Sequence, residues 1–239
     1  MTRIFHKRRK PIFELIGQCL IFLSVIAAIL YGGKWYPAGD VILVATLKGS
    51  AVGFLALFVL ICARTSNHFI LFIALVASVA GDVFLVFPGE TSFMKGLGSF
   101  LGAQILFILL YLKNRLPLRD VSSFRTGTIS LLWAGTGISL YFFYPYLGDK
   151  LLPIFVYSIT LVTMASTALL SEFPVKLVGI GALLFVISDS LLGAEMFTAM
   201  PENTGYFIWG TYYLAELFMT LGVMLLSDRR SFNGGYRFD

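Results

Sequence analysis

The strongest constraint on the fold of this chain is a series of apolar runs, each long enough to cross a lipid bilayer. A transmembrane helix needs about 20 consecutive, mostly apolar residues. Such runs are found near residues 11–31, 41–63, 68–87, 92–112, 127–146, 151–171, 176–197 and 206–226. Helix-breaking residues separate them, such as Gly32-Gly33, Pro88-Gly89 and Pro117. The sequence therefore predicts an all-α polytopic membrane protein, with about eight transmembrane helices in a single domain of residues 1–239.

The composition excludes a soluble protein. The chain is 58% hydrophobic and only 13% charged, which is far from the balance of soluble domains. Its net charge of +5 does not indicate a nucleic-acid partner, because the basic residues cluster beside apolar runs. Cys19 and Cys62 both lie within apolar runs and lack the spacing of a metal site, so we expect no disulfide, no metal and no cofactor. The first run is too long for a signal peptide, and we interpret it as a retained helix.

The basic residues also predict an orientation, since cytoplasmic loops of membrane proteins are enriched in Lys and Arg. With the N-terminus in the cytoplasm, eight spans leave Lys34, Lys95 and Lys150 on the opposite side. The cytoplasmic side receives Arg3, Lys7, Arg8, Arg9, Lys10, Arg64, Lys113, Arg115, Arg119, Arg125, Lys176, Arg229, Arg230 and Arg237. We therefore expect both termini to be cytoplasmic, in the plasma or inner membrane if the source is bacterial.

Four ionisable side chains fall well inside the predicted spans: Lys48, Asp82, Asp189 and Glu216. A charge at the bilayer centre costs at least about 2.5–3.5 kcal/mol, so such groups normally face the bundle interior and pair or perform chemistry. At about 1.5 Å per residue, their depths from the non-cytoplasmic helix ends are about 8 Å for Asp82, 10 Å for Lys48, 12 Å for Asp189 and 15 Å for Glu216. The four groups therefore share one layer of the membrane.

Polar neighbours surround these groups at helical spacing. Ser78 lies one turn before Asp82, and Gly81 leaves room for the close approach of a neighbouring helix. Ser188 and Ser190 flank Asp189. A polar and aromatic stripe on the last span contains Trp209, Tyr212, Tyr213, Glu216 and Thr220, and the fourth span carries Gln104 and Tyr111.

Other interpretations of these residues remain open. A pair of Lys48 with an aspartate is also typical of a structural salt bridge that fixes helix register. Aromatic residues such as Tyr212 and Tyr213 commonly serve as packing groups or interface anchors. Buried carboxylates and a lysine, with similar motifs around Asp82 and Asp189 four spans apart, would also suit a proton-coupled transporter. A lipid-binding protein without catalytic activity is a third alternative.

Several segments resemble the YhhN-like lysoplasmalogenase family of multi-pass membrane proteins. They are Gly81-Asp82-Val83-Phe84-Leu85, Phe93 with Gly96-Leu97 and Ser99-Phe100, the run from Gly181 to Ser190, and Tyr212-Tyr213-Leu214-Ala215. The resemblance extends over nearly the whole chain and implies an eight-helix fold. It also implies hydrolysis of the vinyl ether bond of lysoplasmalogens, which releases a fatty aldehyde and a glycerophospho-ethanolamine or glycerophospho-choline. The substrate would then be a lysophospholipid taken from the bilayer.

The resemblance assigns expected roles to the buried layer. Vinyl ether hydrolysis needs an acid that protonates carbon and a base that activates water, and two nearby carboxyl groups divide naturally into these roles. We expect Asp82 and Asp189 to be this pair, with the assignment of acid and base left open. Lys48, Tyr212, Tyr213, Glu216, Ser188 and Gln104 are the expected substrate-binding residues. Gln104 and Glu216 depart from the family pattern, in which a histidine and a glutamine are expected.

Overall fold

The computed structural model describes residues 11–37 and 39–233, with the side chains of residues 12–37 and 39–226. This part of the chain contains no β-strand and forms eight α-helices. They are α1 (Pro11–Gly32), α2 (Val41–Ile61), α3 (Ser66–Val86), α4 (Glu90–Lys113), α5 (Ser123–Leu147), α6 (Leu151–Leu169), α7 (Ile180–Phe197) and α8 (Thr204–Asn233). The predicted all-α membrane fold is confirmed.

Seven helical stretches in the described ranges are long and apolar enough to cross a membrane, and one of them, Ser123–Leu169, is 47 residues long. A straight helix of that length would measure about 70 Å, more than twice the thickness of a bilayer core. The stretch instead reverses at Gly148, whose φ of +49° suits glycine, and at a short 3₁₀ turn, Gly148–Lys150. Arg125 near the start of α5 donates to the carbonyl oxygens of Leu169, the last residue of α6, and Ser171, at 2.9 and 3.0 Å. The two helices are therefore antiparallel and account for two crossings.

The predicted spans match the helices closely, with differences at their ends. The seventh span, predicted at 176–197, begins with a π-helical turn, Val175–Gly179, before α7. The eighth, predicted at 206–226, extends as α8 from Thr204 to Asn233. We call the half of the bundle that contains the α3–α4, α5–α6 and α7–α8 connections the upper half, and the opposite half the lower half.

The orientation in the membrane stays a prediction. Much of the basic asymmetry comes from residues whose side chains lie outside the described part of the chain: Arg3, Lys7, Arg8, Arg9, Lys10, Arg229, Arg230 and Arg237. The described helices do present an apolar surface, with Leu131, Ile138 and Phe142 of α5 between 62% and 75% exposed. Such a surface suits lipid contact and integral membrane localisation.

The helix packing places α8 against the site-bearing helices. Helices α1 to α4 pack in chain order, and α8 contacts α1, α2 and α3 as well as α7. Helix α5 lies at the periphery and packs on α6 and α7. Gly81 permits a close approach, because a Cβ atom there would lie 2.6 Å from the Phe100 ring of α4. The sequence prediction that Gly81 lets a helix approach is therefore confirmed.

Candidate active site

Asp82 is the more enclosed of the two predicted catalytic aspartates. It lies on α3, is 1% exposed, and faces α2 and α8. Its Oδ1 atom is 3.5 Å from the Nζ atom of Lys48, and its Oδ2 atom accepts a hydrogen bond of 2.6 Å from the hydroxyl of Tyr212. Burying a negative charge inside a membrane protein is unfavourable unless the charge is paired or hydrogen-bonded. Lys48 and Tyr212 provide this compensation for Asp82.

Lys48 also has an aromatic neighbour. Its Nζ atom lies 5.9 Å from the ring centroid of Tyr31 on α1, within the range of cation–π attraction. The lysine side chain keeps 14% of its surface exposed. The ammonium group thus lies between a buried carboxylate and an open space.

Asp189 has different partners. It lies on α7, is partly exposed, and its Oδ2 atom accepts a hydrogen bond of 2.5 Å from the hydroxyl of Tyr157 on α6. The ion pairs within the described residues include none to Asp189. Sequence reasoning missed Tyr157, although its position about 9 Å below the start of α6 puts it in the same layer as the aspartates.

Asp82 and Asp189 line one cavity of about 380 Å³, which we call the polar cavity. Lys48, Tyr212 and Ser188 line it as well. Its wall also includes Phe87 and Gly89 of the α3–α4 connection, and Glu195 and Gly205 at the upper ends of α7 and α8, so the cavity extends towards the upper face. The two carboxyl groups that the sequence puts at similar depth therefore meet at one space.

Aromatic packing fixes the wall that holds Tyr212. The Phe100 ring of α4 meets the Tyr212 ring edge-on, with centroids 5.7 Å apart and planes at 88°. Phe185 of α7 and Trp209 of α8 each lie 5.7 Å from the same ring. Such contacts add to apolar burial and restrict the ring. The Tyr212 hydroxyl is thereby held towards Asp82.

Two other predicted binding residues have mainly structural partners. Ser188 lines the polar cavity but donates its hydroxyl proton to the carbonyl oxygen of Ile208, 2.9 Å away, which ties α7 to α8. The hydroxyl of Tyr213 is 2.8 Å from that of Ser24 on α1. Tyr213 is not among the residues that line the polar cavity. The two adjacent tyrosines of α8 thus point to different neighbours.

Glu216 and Gln104 belong to a second group of polar side chains, below the aspartates. The members are fully buried: Ser78, Gln104, Tyr111, Glu216 and Thr220. We call them the lower polar cluster. Glu216 lies beside Ser78 and is close enough to Tyr111 and both aspartates to interact with them electrostatically. The cluster adds a third buried carboxyl group beside the pair.

Comparison with known sequences decides the family. The sequence model of the YhhN family matches residues 43–223, which include all six predicted substrate-binding residues and both predicted catalytic aspartates. The chain belongs to the YhhN family. The match covers all but the first two residues of α2, then α3 to α7 and most of α8.

Curated relatives of this YhhN-family chain carry the name lysoplasmalogenase. Proteins from Mycobacterium bovis and Mycobacterium tuberculosis are each 35% identical over 152 residues, covering 62% of this chain and 58% of the relative. Lysoplasmalogenase TMEM86B from Homo sapiens is 29% identical over 152 residues, covering 63% of this chain and 62% of the relative. The chain thus matches less than two thirds of the length of each of these relatives. No solved structure matches it.

Proposed function

We propose that this chain is a lysoplasmalogenase-type hydrolase, which cleaves the vinyl ether bond of lysoplasmalogens with two intramembrane aspartates. The observation that carries the proposal is that Asp82 and Asp189 line one cavity and have different partners. The names of the curated relatives support the reaction class. The products are a fatty aldehyde and a glycerophospho-ethanolamine or glycerophospho-choline.

The different partners suggest which aspartate is the acid. Asp82 has the ammonium group of Lys48 beside it, so its negative charge is compensated, and we assign it as the carboxylate base. Asp189 has a tyrosine hydroxyl as partner and no cation within the described ion pairs, so we assign it as the neutral acid. Lys48 can compensate the charge of only one carboxylate. The two aspartates together are therefore expected to hold a single negative charge.

The first half of the reaction uses both groups. The carboxyl proton of Asp189 is transferred to the β-carbon of the vinyl ether, and the double-bond electrons form the new C–H bond. The product is an oxocarbenium ion. Glycosidases also use a pair of carboxyl groups, and their transition state resembles such an ion. The Asp82 carboxylate removes a proton from water as the water oxygen attacks the α-carbon. The product of this half is a neutral hemiacetal.

The second half restores the pair. The Asp189 carboxylate removes the hemiacetal hydroxyl proton as the carbonyl forms, and Asp82 returns its proton to the departing glycerol oxygen. Aldehyde and alcohol leave, and each aspartate regains its starting proton state.

The polar cavity also offers groups that suit the head group. Lys48 faces the phosphate, and the exposed Glu195 near the upper face suits an ammonium group.

The test is aldehyde release by the purified full chain in detergent. We expect release from a lysoplasmalogen and none from the matched lysophospholipid with a saturated ether, since that bond offers no carbon to protonate. In D₂O, the aldehyde should carry one deuterium on the carbon next to the carbonyl. Lysoplasmalogen binding without aldehyde would instead indicate a lipid-binding protein without this activity, and the proposal would be wrong.

A further inference from the structure

A second cavity meets the polar cavity at Asp189. It has a volume of about 150 Å³ and lies between α4, α5, α6 and α7 in the upper half of the bundle. Most of its lining is apolar, and Asp189 is its one acidic or basic side chain among the described residues. We call it the apolar cavity. Phe93, Phe100 and Leu192 line both cavities, so the two spaces adjoin each other at Asp189.

Helices α4 and α5 both line the apolar cavity but do not pack on each other within residues 11–37 and 39–233. Ser139 of α5 lines the cavity and is also exposed at the surface of the bundle. It lies about 12 Å below the upper end of α5, at the depth of the hydrocarbon core. A gap between α4 and α5 at this depth would therefore face lipid chains.

We propose that the apolar cavity binds the hydrocarbon chain of the substrate, which enters from the membrane between α4 and α5, and that Gly193 determines how much chain fits. The inference rests on the proposed function, because it takes the substrate to be a lysoplasmalogen. A chain that enters sideways stays in an apolar medium, whereas transfer through water would cost about 0.8 kcal/mol per methylene. The head group then lies in the polar cavity, and the vinyl ether bond lies beside Asp189, where the cavities meet.

Gly193 is placed to act on chain length. It lies one helical turn after Asp189, on the same face of α7, and it lines the apolar cavity. A Cβ atom built at Gly193 meets no atom within 4 Å, and its φ is not positive. A larger side chain therefore fits without backbone strain and occupies space that the hydrocarbon chain would otherwise fill.

The chain offers a matched control for this substitution. Gly53 on α2 is also a helical glycine with no atom within 4 Å of a built Cβ. It lines neither the polar nor the apolar cavity. Gly53→Phe should therefore reproduce the general effect of a new aromatic side chain on this bundle, without the effect on the substrate.

The experiment compares Gly193→Phe, Gly193→Leu, Gly53→Phe and the parent on a long-chain lysoplasmalogen and a short-chain analogue with the same head group. For Gly193→Phe, we expect kcat/KM for the long chain to fall at least about 10-fold relative to the short chain, since pocket contacts of this size discriminate by that factor. Gly193→Leu should show a smaller shift, and Gly53→Phe none. Thermal unfolding in detergent identifies any variant that fails to fold.

An unchanged ratio between the two substrates in both folded Gly193 variants would overturn the inference. A second measurement separates this failure from failure of the proposed function. Binding of a long-chain lysophospholipid with a saturated ether is followed by the rise in melting temperature, which needs no turnover. If the parent releases no aldehyde, the proposed function is wrong. If the parent and Gly193→Phe bind the long-chain ether equally well, the chain does not lie in the apolar cavity.

Discussion

Replacing Lys48 by methionine tests whether the ion pair with Asp82 carries stability as well as function. The two charged atoms are 3.5 Å apart. At an effective dielectric constant of about 20, this separation corresponds to about 5 kcal/mol of attraction. Asp82 keeps its hydrogen bond from Tyr212 and can take up a proton, so the net loss should be at the low end for a broken buried pair, about 3 kcal/mol. For a chain of this length, that loss lowers the melting temperature by about 6–12 °C.

The assay is thermal unfolding in detergent, run as a double-mutant cycle. Lys48→Met should be strongly destabilised, and adding Asp82→Asn should restore most of the loss, because the stranded carboxylate is then gone. Lys176→Met, at an exposed position on the lower side, is the control and should melt close to the parent. The reasoning is refuted if Lys48→Met melts like the control, or if the double variant is no more stable than Lys48→Met alone.

Three further predictions concern Glu216, Tyr157 and the orientation of the chain in the membrane. Glu216→Gln keeps the size and hydrogen-bonding capacity of a fully buried side chain that has no cationic partner among the described ion pairs, so thermal unfolding should show equal or higher stability; a clear loss would reveal a bound cation or another partner. Tyr157→Phe removes the hydrogen bond to Asp189 and should lower kcat about 10-fold, equivalent to about 1.4 kcal/mol, whereas Tyr213→Phe, at a residue that does not line the polar cavity, should leave kcat unchanged. Equal effects of the two substitutions would exclude a specific role for Tyr157. Reporter fusions at the two ends should both report the cytoplasm, and ends on opposite sides would show that a crossing has been miscounted.

The fold follows from hydropathy because a bilayer allows few alternatives. A run of about 20 apolar residues must satisfy its backbone polar groups within a helix, so the existence and order of the helices can be read from the sequence. Helix ends are set by local geometry that hydropathy does not contain. The start of α7 as a π-helical turn and the extension of α8 to Asn233 are examples.

The meeting of Asp82 and Asp189 could be predicted because helix rise converts sequence position into depth. The direction of each side chain could not be predicted in this way. The sequence therefore assigned Tyr212 and Tyr213 the same expected role, although Tyr212 contacts Asp82 and Tyr213 contacts Ser24. Tyr157 could not be picked out because its helix, α6, contains no charged residue that would mark a polar site. The apolar cavity could not be predicted either. It exists because α4 and α5 do not pack on each other, and the sequence does not show which helices pack together.

The most direct test of the two-aspartate account is the initial rate of aldehyde release by Asp82→Asn and Asp189→Asn, each compared with the parent. Asparagine keeps the size and hydrogen-bonding capacity of aspartate but does not exchange a proton at neutral pH. General acid or base catalysis by one positioned side chain contributes about 10²- to 10⁴-fold to the rate. The initial rate of each variant should therefore fall by at least about 10²-fold while the protein remains folded. If either folded variant releases aldehyde at a rate near that of the parent, the two-carboxylate mechanism is contradicted.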